Sequence, residues 1–218
     1  MMKKLSRRDL VKFGVVGAVA GLSKATESWS EVIIMPTPEE VEGPFYPVAD
    51  QIDKDADMTQ VTGRSGQALG QYIIIRGAVK DRFGVPVENA TIDIWQANAA
   101  GRYDHPRDSN RAPVDPYFQG WAVIHSDTNG LFRFKTVKPG AYPASRSWTR
   151  PPHIHFKIFK KGYPELITQM YFPNEPLNAS DLLFSNKTQE EQKAMVAQKT
   201  DEYDGMDVYT YNIVLRGH

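Results

Sequence analysis

The sequence predicts an all-β protein: a β-sandwich of short, mostly antiparallel strands, with long site-bearing loops and one short helix. Three observations carry that expectation. From Tyr72 onward, short runs rich in β-branched and aromatic residues alternate with Pro/Gly turn signals. The runs Trp121–Ser126 and Leu131–Thr136 flank Asp127-Thr128-Asn129-Gly130, a hairpin signal. Only Thr188–Thr200, with Glu and Gln in its first turn, carries helix signals.

Taken in order, residues 1–25 read as a targeting segment rather than as structure. Lys3, Lys4 and the pair Arg7-Arg8 precede the ten-residue apolar run Phe13 to Leu22. That run is too short to span a bilayer and suits a signal-peptide core, and the paired arginines resemble a twin-arginine export signal. The expected location is periplasmic or secreted, and no other stretch reads as a stable membrane span. Residues 26–71 read as an irregular segment, Pro-rich at Glu42-Gly43-Pro44-Phe45-Tyr46-Pro47 and polar after it. The sandwich domain is expected over 72–218. Besides the hairpin pair, its strands are Tyr72–Lys80, Ala90–Gln96, His153–Lys160, Leu166–Phe172 and Asp207–Leu215. Asp81-Arg82-Phe83-Gly84-Val85-Pro86 and Lys138-Pro139-Gly140 read as turns. Residues 97–119, dense in Asn, Asp, Arg and Pro, make a connection long enough to expect a functional role.

Composition narrows the function. The whole chain carries 26 basic and 26 acidic residues; without residues 1–25, 20 basic residues face 25 acidic ones. That balance leaves no electrostatic footprint for nucleic acid. The absence of cysteine excludes disulfides and thiolate metal sites. About 190 mature residues are enough for one domain with a substantial core.

The chemistry concentrates in Arg150-Pro151-Pro152-His153-Ile154-His155-Phe156. Residues two apart on a strand share a face, so the two imidazoles stand roughly 6–7 Å apart along it, close enough to hold one transition-metal ion. Alone, a His-x-His pair also arises by chance on a solvated strand. Two tyrosines in unusual settings strengthen it: Tyr103 in Gly-Arg-Tyr-Asp-His and Tyr142 in Lys-Pro-Gly-Ala-Tyr-Pro. Two phenolates and two neutral imidazoles form a dianionic donor set that suits Fe(III) better than Zn(II) or Cu(I). A free phenol ionises near pH ~10, so only a strong Lewis acid makes tyrosine a ligand at neutral pH. Such a site weakens as pH falls, because protons compete for every ligand. Arg150 sits just before the strand, near such a metal, and otherwise reads as a surface arginine capping that strand. His105 lacks this register and reads as a loop histidine.

Five motifs, in order, resemble those of the intradiol ring-cleaving dioxygenases. They are Gly101-Arg102-Tyr103, Asp115-Pro116-Tyr117-Phe118, Lys138-Pro139-Gly140-Ala141-Tyr142-Pro143, the Arg150 to Phe156 stretch and Leu166-Ile167-Thr168-Gln169-Met170-Tyr171-Phe172. A shorter match lies at Gly43-Pro44-Phe45-Tyr46. The resemblance runs from about Tyr72 to Leu177 and is nearest to the iron-bearing (beta) chain of the protocatechuate-cleaving branch. It implies a mononuclear non-haem Fe(III) held by Tyr103, Tyr142, His153, His155 and a solvent-derived hydroxide. By motif position Tyr142 is the axial tyrosine that leaves when substrate arrives, and Tyr103 the one that stays. His153 is axial and His155 equatorial, while Arg150, Tyr142 and Gln169 serve catalysis. The implied reaction uses O2 to cleave a catecholic aromatic between its two hydroxyl-bearing carbons, giving a cis,cis-muconate. Protocatechuate is the leading substrate, with catechol or hydroxyquinol as alternatives. A homo-oligomer or a related iron-free partner chain is implied for completing the pocket.

The chain departs from that branch at Ala141-Tyr142-Pro143-Ala144, where Pro-Tyr-Pro-Trp is usual, and at Pro152, where Ala is usual. Two other readings stay open on the residues alone. One is a 2-His-1-carboxylate Fe(II) site built on His153 and His155. The other is an exported β-sandwich that binds iron or an aromatic ligand without turnover.

Overall fold

The structure, a computed structural model, describes residues 33–51 and 53–217; the expected export signal lies outside the described residues. From Tyr72 the chain forms β1 (Tyr72–Asp81), β2 (Thr91–Trp95), β3 (Trp121–His125), β4 (Leu131–Val137), β5 (Tyr142–Pro143), β6 (Thr149–Arg150), β7 (His153–Phe159) and β8 (Leu166–Tyr171). A 3-10 turn (Pro176–Ser180), α1 (Leu182–Ser185) and α2 (Gln189–Met195) follow, then β9 (Gln198–Tyr203), β10 (Met206–Thr210) and β11 (Ile213–Leu215).

Two sheets make a sandwich. In the first, β4 pairs antiparallel with β1, and β10 and β11 lie parallel along the other side of β1, with β9 outside β10. The second runs β3-β2-β7-β8 and is antiparallel throughout. Strands β5 and β6 form a separate short hairpin. Alternation decides what faces what. Ile92 and Ile94 of β2, Ile154, Phe156 and Ile158 of β7, and Leu166 and Met170 of β8 point inward. They meet Ile73 and Ile75 of β1 and Phe132 and Phe134 of β4 in one core between the sheets.

The odd-numbered partners occupy the opposite face of the second sheet. Trp95 lies beside His155, His155 beside Gln169, and His153 beside Tyr171. This face is covered as well, by loops: Trp95, Ala97, Tyr103 and Tyr142 form a second apolar cluster, with Phe45, Tyr46 and Trp121 packed on it. An antiparallel sheet commonly leaves one face to water. Here the second face holds the polar residues that the sequence singles out.

Three expectations need correction. The region expected as one strand, Asp207–Leu215, is two strands broken at Tyr211-Asn212. There the Asn212 side chain replaces a backbone acceptor, taking the Ala78 N–H at 3.1 Å. The helix expected over Thr188–Thr200 stops at Met195; a Thr188/Glu191 capping box opens it as anticipated. The chain then returns as β9, an edge strand with every residue exposed, so it shows no alternation. Helix is also not confined to that segment, since α1 and a 3-10 turn precede it.

Phe156 is fully buried and its ring meets those of Phe132, Phe134 and Tyr211 at 6.3, 6.0 and 5.3 Å. Phe156→Ala is expected to cost about 3–5 kcal/mol, read from the urea unfolding midpoint.

Candidate metal centre

Tyr103, Tyr142, His153 and His155 come together as a closed ring of four side chains. Tyr103 meets Tyr142 edge-to-face at 5.5 Å, Tyr142 meets His153 at 5.7 Å, His153 meets His155 at 4.9 Å, and His155 returns to Tyr103 at 6.3 Å. All four are buried. The imidazoles lean together more closely than strand spacing alone requires, with their Nε2 atoms 3.2 Å apart. His153 Nδ1 lies 2.7 Å from the Pro151 carbonyl, which can only accept, so the lone pair of His153 sits on Nε2 and faces His155. His155 lies flat against Trp95, with ring centres 4.7 Å apart and planes 9° apart.

Two loops deliver the tyrosines, and one residue ties them together. The Asn98 carbonyl accepts from Gly101 N–H at 3.0 Å and from Gly140 N–H at 2.9 Å, while its side chain caps the N–H groups of Ala100 and Arg102. The crossing is close. A Cβ on Gly101, whose φ is +76°, would lie 2.2 Å from the Ala141 carbonyl oxygen. Phe45, from the irregular segment, stacks on Tyr103 at 4.7 Å and touches Tyr142 edge-on at 6.0 Å. Its neighbour Tyr46 donates to Asp93 on β2 at 2.7 Å, which pins this segment over the site.

Arg150 pairs with Tyr142 across the β5–β6 hairpin. Its guanidinium is buried and held on one side: Nε donates to Asp181 at 2.9 Å, and Nη2 to Gln169 at 2.7 Å and Tyr171 at 2.9 Å. Asp181, wholly buried, also accepts from Trp148 Nε1 at 3.0 Å and from the Tyr171 hydroxyl at 3.0 Å. Burial opposes the charge on Arg150, but Tyr171, Tyr142 and Asp181 together outweigh it and keep the guanidinium protonated. Gln169 is committed at both ends, accepting from Arg150 and donating to the Val41 carbonyl at 2.9 Å. It is fully buried, and its side chain is placed to hold Arg150.

A cavity of about 470 Å³ opens beside this cluster, bordered by Phe45, Tyr142, Ala144, Trp148 and Arg150. Tyr142 forms part of its wall, whereas Tyr103 lies behind, its hydroxyl buried without a partner. Ala144, the position of the missing tryptophan, is exposed to this cavity. A second hollow of about 450 Å³, over β1 and β4, gathers none of the four ring residues. His105 stays outside the four-ring cluster, buried against the edge of Phe45.

The donor set fits a metal. Two Nε2 atoms at 3.2 Å match donors on adjacent corners of one ion, since bonds of about 2.1 Å at right angles place donors about 3 Å apart. The orphaned Tyr103 hydroxyl supplies a third, anionic donor once ionised. Among the described residues no three His, Cys, Asp or Glu side chains gather as a metal site, so a 2-His-1-carboxylate centre is not formed there. Asp181, Tyr171 as its partner, and Asn98 carry no signal in the sequence beyond ordinary turn, strand and cap residues.

Burial first, and the Arg150 charge second, hold both imidazoles well below their ordinary proton affinity. In the metal-free protein they stay neutral while the unfolded chain takes up protons below about pH 6.5, so folding stability falls as pH drops through that range. A His153→Gln/His155→Gln variant is expected to lose stability less steeply between about pH 7 and 5 in thermal melts of metal-free protein; parallel curves would contradict the assignment. Asp181→Ala strands a buried guanidinium and is expected to cost about 3–5 kcal/mol in urea unfolding.

Comparison with known proteins gives a consistent result. A family profile described as Dioxygenase matches residues 41–217. The beta chain of protocatechuate 3,4-dioxygenase from Burkholderia cepacia is 40% identical over 182 residues, covering 80% of this chain and 77% of that one. An intradiol ring-cleavage dioxygenase of Aspergillus niger is 32% identical over 159 residues, 66% of this chain but only 45% of the relative. Among solved structures, 3-chlorocatechol 1,2-dioxygenase from Rhodococcus opacus 1CP aligns with a TM-score of 0.66 at 25% identity, over 90% of this chain and 79% of that one. A family match across most of the chain, joined to the same sandwich architecture, places it in a family of enzymes: the chain belongs to the intradiol ring-cleavage dioxygenases.

Proposed function

We propose that this protein is a ferric intradiol dioxygenase that cleaves a catecholic aromatic, protocatechuate first, between its two hydroxyl-bearing carbons to a cis,cis-muconate. Both atoms of O2 end in the product. The observation that carries this reading is the ring of Tyr103, Tyr142, His153 and His155, which reaches a cavity through Tyr142. Members of the family typically use non-haem Fe(III), and these four side chains are the residues that would hold it here. When bound, the ferric ion supplies the Lewis acidity that ionises phenols and catechol and primes the ring for O2.

The chain's own residues divide the remaining work. Tyr103 and His155, behind the cavity and packed against Phe45 and Trp95, are suited to staying in place. Tyr142 borders the cavity, so its phenolate oxygen is suited to taking a proton from the incoming diol. Burial raises its proton affinity, and the Arg150 charge moderates that rise. Arg150 presents a fixed positive charge to the oxygens of the bound diol, and Asp181 and Gln169 hold it there. Protocatechuate is put first because of the similarity to the Burkholderia cepacia beta chain. Export through residues 1–25 belongs to the same proposal and rests on their sequence pattern.

The test is the visible spectrum of the iron-loaded chain, with protocatechuate added without oxygen. A reddish tyrosinate-to-iron band that shifts on addition supports the reading; a colourless protein with stoichiometric iron overturns it. Tyr142→Phe is expected to keep the fold, hold iron less tightly and lower turnover about 100-fold or more in oxygen uptake. His155→Ala should lose iron outright by metal analysis.

A further inference from the structure

The charged groups bordering the cavity differ in how they are engaged. Arg150 is ion-paired with Asp181 and serves the Tyr142 end of the cavity. Asp108 accepts from the amides of Tyr103 at 2.8 Å and Asn110 at 2.8 Å, and lies 3.6 Å from Arg102. Arg107 borders the same cavity and is exposed. Among the described residues its guanidinium meets no carboxylate and no hydrogen-bond partner.

The backbone beneath Arg107 is nonetheless fixed. Its N–H donates to His105 Nδ1 at 3.1 Å, and the next amide, of Asp108, donates to the His105 carbonyl at 3.0 Å. His105 is buried edge-on to Phe45, and Asn110 anchors the far side of the loop by donating to the Gly101 carbonyl at 2.8 Å. An uncommitted cation therefore stands on a constrained loop at the rim. Pro44, Phe45, Pro143, Ala144 and Trp148 give the same cavity an apolar wall. A plain catechol ring calls for that wall and for the Tyr142 end, and leaves the rim cation unanswered. The volume, about 470 Å³, falls in the range that holds drug-sized ligands and exceeds the needs of one bare ring.

We infer that Arg107 is the specificity-determining residue of this cavity, its guanidinium pairing with a carboxylate carried by the catechol while the ring lies against the apolar wall. The inference rests on the dioxygenase reading for the identity of the ring, and on the cavity for the anion. A guanidinium fork matches a carboxylate in geometry as well as charge, although exposure at the rim limits its strength.

Two measurements on the full chain as purified test it separately from the dioxygenase reading. The first is binding of 4-hydroxybenzoate, which has the carboxylate but only one hydroxyl, against phenol, followed through Trp148 fluorescence at the cavity wall. The wild type should prefer the carboxylate. Arg107→Gln should shrink that preference about fivefold, Arg107→Lys should retain most of it and Arg107→Glu should abolish it. An equal preference in wild type and Arg107→Gln overturns the inference. The second is oxygen uptake by the iron-loaded chain, where the ratio of kcat/KM for protocatechuate over catechol should fall about fivefold in Arg107→Gln. An unchanged ratio overturns the role of Arg107 and leaves the dioxygenase reading standing. No uptake with either substrate overturns the dioxygenase reading, and the binding preference then decides on Arg107 alone.

Discussion

Strand β7 is buried on both faces, and the rest of the site is built around that condition. Ile154, Phe156 and Ile158 point into the core between the sheets, and His153 and His155 point the other way, under the loops. Neither face is free to slip. A shift of one residue against β2 or β8 would drive two imidazoles into a hydrocarbon core and expel a phenylalanine and two isoleucines from it. The register that hydrophobic packing enforces is the same register that sets Trp95, Gln169 and Tyr171 beside the histidines. Site geometry is thus inherited from core packing.

Burying charge next to that strand is costly, and the fold meets the cost by completeness. Arg150 and Asp181 are withdrawn from water together, with Trp148, Gln169, Tyr171 and the Phe184 amide supplying further hydrogen bonds. A buried pair of this kind is weak evidence for stability, because hydrophobic residues of equal volume often do as well. What it provides is a positive charge that does not move and does not titrate. That suits a surface where anions gather better than a flexible, solvated lysine would.

Much of this was legible in the sequence, and the physical reason is period. A strand with one face in the core alternates, so Leu131 to Val137 emerges nearly residue for residue, while Tyr72 to Asp81, buried almost throughout, is legible from its β-branched run and the turn that ends it. The Tyr and His pattern is readable because residues two apart share a strand face and because the motifs carrying them occur in order. Strand β9 was not readable, because a fully exposed edge strand has no alternation to read. Asp181 hid behind an ordinary role: it does cap α1, accepting from the Phe184 amide, and nothing in that position announces a counter-ion. Gln169 stood in a recognisable motif, yet the oxygen and nitrogen of its side-chain amide engage Arg150 and the Val41 carbonyl. Only the three-dimensional neighbourhood reveals that.

Asn98 carries a consequence for how such a protein can diversify. Both tyrosine-bearing loops hang from its one carbonyl, at Gly101 and Gly140, before the long connection that ends near Gln119 has properly begun. The backbone that carries Tyr103 is thereby tied, at the start of that connection, to the backbone that carries Tyr142. Substitutions at exposed rim positions such as Arg107 and Ala144 leave that tie intact, whereas Asp108 and Asn110 on the same rim hold the backbone of Tyr103 and Gly101 and are not free in this way. A lineage can explore new ligands at the mouth while the chemistry behind it is held constant, and the two can evolve at different speeds.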